Sequence, residues 1–291
     1  VGVLVQPRAL GDPVTRTIRR HGLVATISGD GPPLLLVHGL GAARHIWRAN
    51  ADRLSRDFTT IAVDLPGHGD SAWPSPAPKT LHPADHAAAL KPLIDDFSDG
   101  QISVVGNSMG GWIGLEIAAN GWASSLAALC PAGLEFDPWV SRSDILVLRR
   151  RLAQVLGPVM PPATEMVANT PILRDLLIGD ATANFTTLDK SVLADAAIAM
   201  RQARGFYASH DGMLNCLFTR AEEVPKSTPV SIVWGSQDSL LPPERQRRVA
   251  GPSHASWIVL DQCAHVPMWD QPRRTVEIIT ETTRRGINSV A

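Results

Sequence analysis

The sequence predicts an α/β fold with a mostly parallel sheet of eight strands, flanked by helices. Near-continuous apolar runs of four or five residues recur along the chain, and such runs are typical of strands that are covered on both faces. Stretches with helical spacing separate most of these runs, which favours parallel pairing through crossover connections. Glycine and polar residues follow each run directly, and ligands of such sheets bind beyond the carboxyl ends of the strands.

The first predicted element is an antiparallel hairpin. Two short β-like runs, Thr15–Arg20 and Leu23–Ser28, flank His21-Gly22, and the second run ends at a glycine-rich turn. Six apolar runs then predict the buried strands, at residues 34–37, 60–63, 102–105, 126–129, 230–234 and 257–260. The chemistry is expected just after each of these runs.

A long interval, residues 134–225, lacks such strands and shows helical apolar spacing at 145–156, 166–177 and 188–203. Because this interval lies between two core strands, we expect a helical lid over the carboxyl edge of the sheet, with residues 205–218 returning to the core. The predicted core is therefore residues 1–133 and 226–291. The alternative is a structural helical subdomain with no part in binding, since an insertion need not lie over a site.

Composition and charge narrow the possible partners. The chain has 291 residues, of which 44% are hydrophobic and 19% charged, so it can form one large core. Its net charge of -1 and dispersed basic residues favour a small-molecule substrate over nucleic acid. Three distant cysteines argue against a disulfide framework or a metal site and fit a reducing cytoplasm. We expect no membrane segment and no cofactor, in a monomer or homodimer.

The most informative segment is Val-Val-Gly-Asn-Ser-Met-Gly-Gly at residues 104–111, which places Ser108 in a Gly-x-Ser-x-Gly pattern between a strand and a helix. A nucleophilic serine is mounted in this way on a strained turn. Gly106 and Gly110 fit this geometry, because strand and helix approach closely there and leave no room for a Cβ. The pattern also occurs by chance in glycine-rich turns, so the assignment depends on the partners of Ser108.

Two later strands supply those partners. Asp238 follows the run at 230–234, and His265 follows the run at 257–260. This order of Ser, Asp and His resembles the α/β-hydrolase fold family, from about residue 14 to about residue 285. The resemblance implies a serine hydrolase in which Ser108 is the nucleophile, His265 the base and Asp238 the acid that orients the base. Asp238 could instead cap a turn, and Asp211 or Asp261 would then orient the histidine.

An oxyanion intermediate needs preformed backbone N–H donors. Met109 directly follows the nucleophile at a helix N-terminus, where the helix dipole also favours negative charge. Similarity to the family makes the N–H of Leu40, after His38-Gly39, the second donor. Four side chains are candidates for the substrate pocket, although a buried aromatic residue is as often plain core. These candidates are His38, Trp112, Trp139 and Trp269.

The turn at residues 106–110 is called the elbow, and the residue at its nucleophile position also indicates the type of reaction. Haloalkane dehalogenases and epoxide hydrolases of this family carry an aspartate there, so Ser108 predicts hydrolysis of a carboxylic ester or lactone of a largely apolar small molecule. Asn107 and Met109 also resemble the elbow of carbon–carbon hydrolases of meta-cleavage dienoates, which stay the alternative. Those enzymes hold a carboxylate with a lid arginine, whereas the surroundings of Arg201 and Arg204 do not match that motif. A non-catalytic ligand-binding protein of the same fold is the alternative from another class.

Overall fold

The structure is a computed structural model, and it describes residues 15–135, 143–156, 170, 179–185, 188–214, 216–246 and 250–290. Its eight strands are β1 Thr15–Arg20, β2 Leu23–Ser28, β3 Pro33–Val37, β4 Thr59–Asp64, β5 Ile102–Asn107, β6 Ala123–Leu129, β7 Val230–Gly235 and β8 Ser256–Leu260. They form one sheet in the order β1-β2-β4-β3-β5-β6-β7-β8. The predicted eight-stranded sheet is confirmed.

The sheet is parallel except at one edge. Strand β2 pairs antiparallel with both β1 and β4, whereas β4, β3, β5, β6, β7 and β8 pair in parallel. Strand β5 extends two residues beyond the predicted apolar run, because its pairing with β6 continues to Asn107 opposite Leu129. The apolar pattern ends earlier, since Gly106 and Asn107 are not apolar. The carboxyl ends of the parallel strands therefore meet at one edge of the sheet.

The helices are α1 Arg48–Leu54, α2 Pro83–Phe97, α3 Met109–Ala119, α4 Ser143–Leu156, α5 Lys190–Gln202, α6 Phe206–Met213, α7 Pro267–Asp270 and α8 Pro272–Val290. Every residue of α3 is buried, because this helix lies between α2 and strands β5 and β6. Among the described helices, none is long and apolar enough to cross a membrane.

Apolar side chains cover both faces of the sheet. In β3, Leu35 and Val37 belong to the hydrophobic cluster that α2 and α3 cover, whereas Leu34 and Leu36 belong to the cluster on the other face. Successive side chains of a strand point to opposite faces, so a strand buried on both faces needs apolar residues throughout. This is why the buried strands appear in the sequence as continuous apolar runs.

Three described helices lie between β6 and β7. Helices α4 and α5 contact each other, and they correspond to the predicted helical segments at 145–156 and 188–203. The predicted helix at 166–177 lies outside the described residues, except for residue 170. Helix α6 packs against α2, and the Gly205 N–H donates to the carbonyl of Gly67 at 2.9 Å. The division into a core and a lid stays a prediction.

Candidate active site

Ser108 occupies a strained turn between β5 and α3. Its backbone has φ 58° and ψ -120°, in a region that L-residues with a Cβ rarely adopt. The strand and the helix meet so closely here that a Cβ on Gly106 would lie 2.0 Å from the carbonyl oxygen of Gly110. A Cβ on Gly110 would lie 2.2 Å from the carbonyl oxygen of Val37. The turn therefore requires both glycines of the Gly-x-Ser-x-Gly pattern.

His265 and Asp238 form a buried pair. The Nδ1 atom of His265 lies 2.8 Å from Oδ2 of Asp238, and the two residues are 5% and 3% exposed. The other carboxylate oxygen, Oδ1, accepts the backbone N–H groups of Leu240 at 3.0 Å and Leu241 at 2.8 Å. Asp238 therefore has both of the roles considered for it. One carboxylate oxygen caps the turn that follows, and the other contacts His265.

The two alternative acids contact other groups. Asp211 pairs with Nδ1 of His210 at 2.9 Å, and its side chain is 51% exposed. Asp261 is exposed, and its backbone carbonyl accepts a hydrogen bond from Gln271. Of the three aspartates considered, Asp238 is the one that contacts His265.

The hydrogen bonds of His265 define its tautomer. Because Nδ1 faces a carboxylate, Nδ1 carries the proton, and Nε2 is then the unprotonated atom of a neutral ring. Burial alone lowers the pKa of His265, but the negative charge and hydrogen bond of Asp238 raise it, as do the charges of Asp180 and Glu135. The net pKa lies above the ordinary value of 6.5. Nε2 is buried and has no hydrogen-bond partner among the described residues, so it is available to accept a proton.

One cavity of about 140 Å³ joins the parts of the site. Ser108, His265, Leu40 and Trp269 all line it. Helices α4 and α5 supply a further part of its wall, through residues that include Leu146, Arg149, Val192, Ala196 and Met200. The segment between β6 and β7 therefore contributes directly to the cavity that contains Ser108.

The loop after β3 lies against the elbow. A Cβ on Gly39 would lie 3.1 Å from the Cβ of Ser108, so this loop passes beside the serine. The carbonyl of Gly39 accepts the Nδ1–H of His38 at 2.8 Å and the N–H of Ala42 at 3.2 Å. A peptide unit is planar and trans, so fixing this carbonyl also fixes the direction of the Leu40 N–H.

His38 does not line the cavity, contrary to its prediction as a pocket residue. Its ring is fully buried below the loop, where Nε2 accepts the N–H of Leu65 at 3.0 Å and Nδ1 donates to Gly39. Burial lowers the pKa of His38 to about 4, so the imidazole is neutral and both hydrogen bonds persist at neutral pH. The side chain orients the loop instead of contacting a ligand.

The three predicted tryptophans have different outcomes. Trp269 lines the cavity. Trp112 does not, because it faces the core, where it is 1% exposed and donates from Nε1 to Oε1 of Glu116 at 3.0 Å. Trp139 lies outside the described residues.

Met109 begins α3, so its N–H is a first-turn donor that has no acceptor within the helix.

Asn107, directly before the serine, has a structural role. Its Nδ2 donates to the carbonyl of His265 at 3.0 Å and to that of Leu129 at 3.1 Å. The side chain thereby connects the elbow to the loop that carries the histidine. Asn107 also lines the cavity, so it combines this structural contact with a place in the wall.

The loop between β8 and α7, residues 261–266, carries His265 and is called the histidine loop. A short segment between α4 and α5, residues 179–185, is hydrogen-bonded to it. The N–H groups of His265 and Val266 donate to the carbonyls of Asp180 at 3.2 Å and Ala181 at 2.9 Å. The carboxylate of Asp270 accepts the N–H of Ala264 in the histidine loop and the N–H of Ala183 in the segment. The sequence pattern did not reveal this connection, because its partners are far apart along the chain.

Cys130, Asp238 and His265 together could hold a metal ion, since one ligand atom from each lies within 4.8 Å of the others. The hydrogen bonds of these residues do not favour this use. Burial raises the pKa of the Cys130 thiol, and its sulfur donates to the carbonyl of Ala264 at 3.8 Å. The Nδ1 atom of His265 is already bonded to Asp238. The predicted absence of a metal stays a prediction.

The sheet, the elbow and the buried Asp–His pair together define an α/β hydrolase. Residues 34–278 match the model of the alpha/beta hydrolase family, and the chain belongs to this family.

Several known proteins resemble the chain along most of its length. The pimeloyl-[acyl-carrier protein] methyl ester esterase of Aeromonas hydrophila is 27% identical over 267 residues, which cover 86% of this chain and 95% of the esterase. The monoacylglycerol lipase ABHD6 of Mus musculus is 22% identical, covering 87% of this chain and 75% of the lipase. A meta-cleavage product hydrolase from Pseudomonas fluorescens shares the fold, with a TM-score of 0.69, 17% identity and coverage of 95% and 98%. The esterase and the lipase support a hydrolase, and the solved structure supports the fold.

Proposed function

We propose that this protein is a serine hydrolase that cleaves a carboxylic ester or lactone of a largely apolar small molecule. The observation that carries the proposal is the buried His265–Asp238 pair, whose histidine lines the same cavity as the strained Ser108. An esterase and a lipase among the relatives support the same class of reaction.

In the proposed mechanism, the hydroxyl of Ser108 attacks the substrate carbonyl while Nε2 of His265 takes its proton. A serine hydroxyl is unreactive at neutral pH without such a base. The charge of Asp238 stabilises the imidazolium that forms and keeps the ring in the tautomer with the proton on Nδ1. The imidazolium then protonates the leaving alcohol, and water hydrolyses the acyl-enzyme with His265 again acting as base.

The negative charge that develops on the carbonyl oxygen is stabilised by the N–H groups of Met109 and Leu40. Each such donor contributes about 3 to 4 kcal/mol to transition-state stabilisation in a well-studied hydrolase. Leu40 lies on the loop that His38 and Ala42 hold through the Gly39 carbonyl. This donor is therefore oriented before the substrate arrives.

A fluorophosphonate probe tests the nucleophile. We expect the probe to label the wild-type protein and Ser239→Ala, a variant of an exposed serine near the site, but not Ser108→Ala. Turnover of p-nitrophenyl butyrate should follow the same pattern, with a loss of at least about 10³-fold in Ser108→Ala. Absence of labelling in the wild type would favour the non-catalytic ligand-binding protein.

The carbon–carbon hydrolase is tested by offering a 2-hydroxy-6-oxo-dienoate beside the ester series. Cleavage of the dienoate orders of magnitude faster than of short esters would overturn the esterase proposal. Arg201 and Arg204 do not favour this alternative, since both side chains are exposed and neither lines the cavity. The Asn107 that resembles those enzymes instead bonds the histidine loop.

A further inference from the structure

The wall of the cavity contains one ion pair that the proposed chemistry does not use. Nη1 of Arg149, on helix α4, lies 2.5 Å from Oδ1 of Asp180, and the two side chains are 9% and 12% exposed. Both residues line the cavity. Much of the remaining lining is apolar and includes Leu40, Ile46 and Met200. Burying two charges is costly, so a pair kept in a largely apolar wall calls for an explanation.

The pair lies next to the proposed base. The carbonyl of Asp180 accepts the backbone N–H of His265 at 3.2 Å, so the two residues are neighbours through the main chain. Ser108 and His265 line the same cavity as the pair. A substrate group that reaches Arg149 and Asp180 therefore lies in the same cavity as Ser108 and His265.

Each of the two aspartates that line the described part of this wall is paired with an arginine. Arg149 is paired with Asp180, and Asp195, which also lines the cavity, is paired with Arg48 at 3.0 Å. A substrate carboxylate at Arg149 would meet the negative charges of Asp180 and Asp195. An uncharged hydroxyl avoids this repulsion, because it can donate to the carboxylate and accept from the guanidinium.

The volume of the cavity limits the size of the group. Its 140 Å³ is close to that of an apolar protein cavity of about 150 Å³ that binds benzene, which has six non-hydrogen atoms. The cavity is partly open to solvent, so its volume sets the size of the enclosed group and not the length of the whole substrate.

We propose that the Arg149–Asp180 pair recognises a hydroxyl group of an uncharged ester or lactone, on either the acyl or the alcohol side of the reacting carbonyl. This inference rests on the proposed ester hydrolysis and deepens it. Hydrogen bonds to charged groups are stronger than those between neutral groups, so a hydroxyl that bonds the carboxylate or the guanidinium favours its ester over the analogue that lacks it. We expect a preference of at least about tenfold.

The test compares matched esters. The first pair is p-nitrophenyl 3-hydroxybutyrate and p-nitrophenyl butyrate, which differ on the acyl side. The second pair is 3-hydroxypropyl butyrate and butyl butyrate, which differ on the alcohol side. The ratio of kcat/KM within each pair is measured for the wild type, Arg149→Met and Asp180→Asn. Arg151→Met is the matched control, because Arg151 lies on the same helix with an exposed side chain.

A wild-type preference of tenfold or more in one pair, lost in Arg149→Met and Asp180→Asn but kept in Arg151→Met, supports the inference. It is overturned if neither pair shows a preference, or if the preference persists in both variants of the ion pair. Faster cleavage of the anionic p-nitrophenyl hydrogen succinate than of the hydroxyl ester also overturns it, because the group would then be a carboxylate.

Binding to Ser108→Ala separates this inference from the proposed function. The variant is titrated with the same esters, and Trp269 in the cavity wall provides a fluorescence signal. If the wild type hydrolyses none of the esters, the proposed function fails. Tenfold tighter binding of a hydroxyl ester than of its analogue would still support recognition by the pair, whereas equal binding would refute it.

Discussion

Replacing Glu135 with glutamine should stabilise the protein by an amount that grows as the pH rises. Glu135 is 7% exposed, and its Oε2 accepts the N–H of Gly133 at 2.8 Å. Glu135 forms an isolated antiparallel bridge with Gln246. The Oε1 atoms of both side chains are buried and find no hydrogen-bond partner in the described ranges. Burial raises the pKa of Glu135 from its ordinary value of 4.5 to about 7, with a smaller contribution from Asp238.

The size of the effect follows from this rise. A carboxyl whose pKa goes from 4.5 to about 7 on folding is destabilised in its charged form by about 3 kcal/mol. The folded state binds the proton more tightly than the unfolded state, so the free energy of unfolding falls as the pH rises from about 4.5 to about 7. Below this window the cost is absent, and above it the cost is complete. A glutamine cannot ionise, and its amide can donate to Gln246.

Urea unfolding at several values between pH 4 and pH 8 measures this difference. The free energy of unfolding of Glu135→Gln should exceed that of the wild type by about 3 kcal/mol more at pH 8 than at pH 4. The control is Glu222→Gln, because Glu222 is exposed and its replacement should give a difference that hardly changes with pH. A difference between wild type and Glu135→Gln that stays constant over this range would refute the reasoning.

Three other perturbations have defined outcomes. His38→Gln should lower kcat for p-nitrophenyl butyrate by about 10- to 100-fold with a smaller change in KM, since one oxyanion donor loses its orientation; equal kcat values would contradict this role. Burial lowers the pKa of His68 to about 3, so the unfolded state binds a proton more readily than the folded state and the free energy of unfolding should fall as the pH drops from about 6.5 towards 3. The Tm of His68→Gln should therefore fall less steeply on acidification than that of the wild type. Gly106→Ala should lower the free energy of unfolding in urea by at least about 3 kcal/mol, because the added Cβ would lie 2.0 Å from a carbonyl oxygen. Gly121→Ala is the control and should lower it by about 1 kcal/mol, since no atom lies within 4 Å of its Cβ but its φ is positive.

The sheet was predictable because its strands are buried on both faces. The strands at 34–37 and 126–129 can be recognised without an alternating apolar and polar pattern, since both of their faces are buried and require apolar residues. The residues at the strand ends were predictable for a related reason, because parallel strands bring their carboxyl ends to one edge. Asp238 and His265 follow two neighbouring parallel strands, and this is why their side chains can lie 2.8 Å apart.

The polar pairs of the site were not predictable. Arg149 and Asp180 are 31 residues apart, and Glu135 pairs with Gln246, which lies in the segment after β7. No spacing rule connects such residues, because tertiary packing alone brings them together. Trp112 shows the converse problem. An aromatic residue near a motif can face either the core or the cavity, and the sequence pattern is the same in both cases.

The hydrogen bonds between residues 179–185 and the histidine loop have a consequence for protein engineering. A common strategy for changing the specificity of an enzyme is to exchange a whole insertion for that of a relative. In this protein such an exchange of the predicted lid, residues 134–225, would also remove the carbonyls that accept the N–H groups of His265 and Val266, and the N–H of Ala183 that Asp270 binds. A productive chimera should therefore retain residues 179–185 and exchange the helices on either side of them.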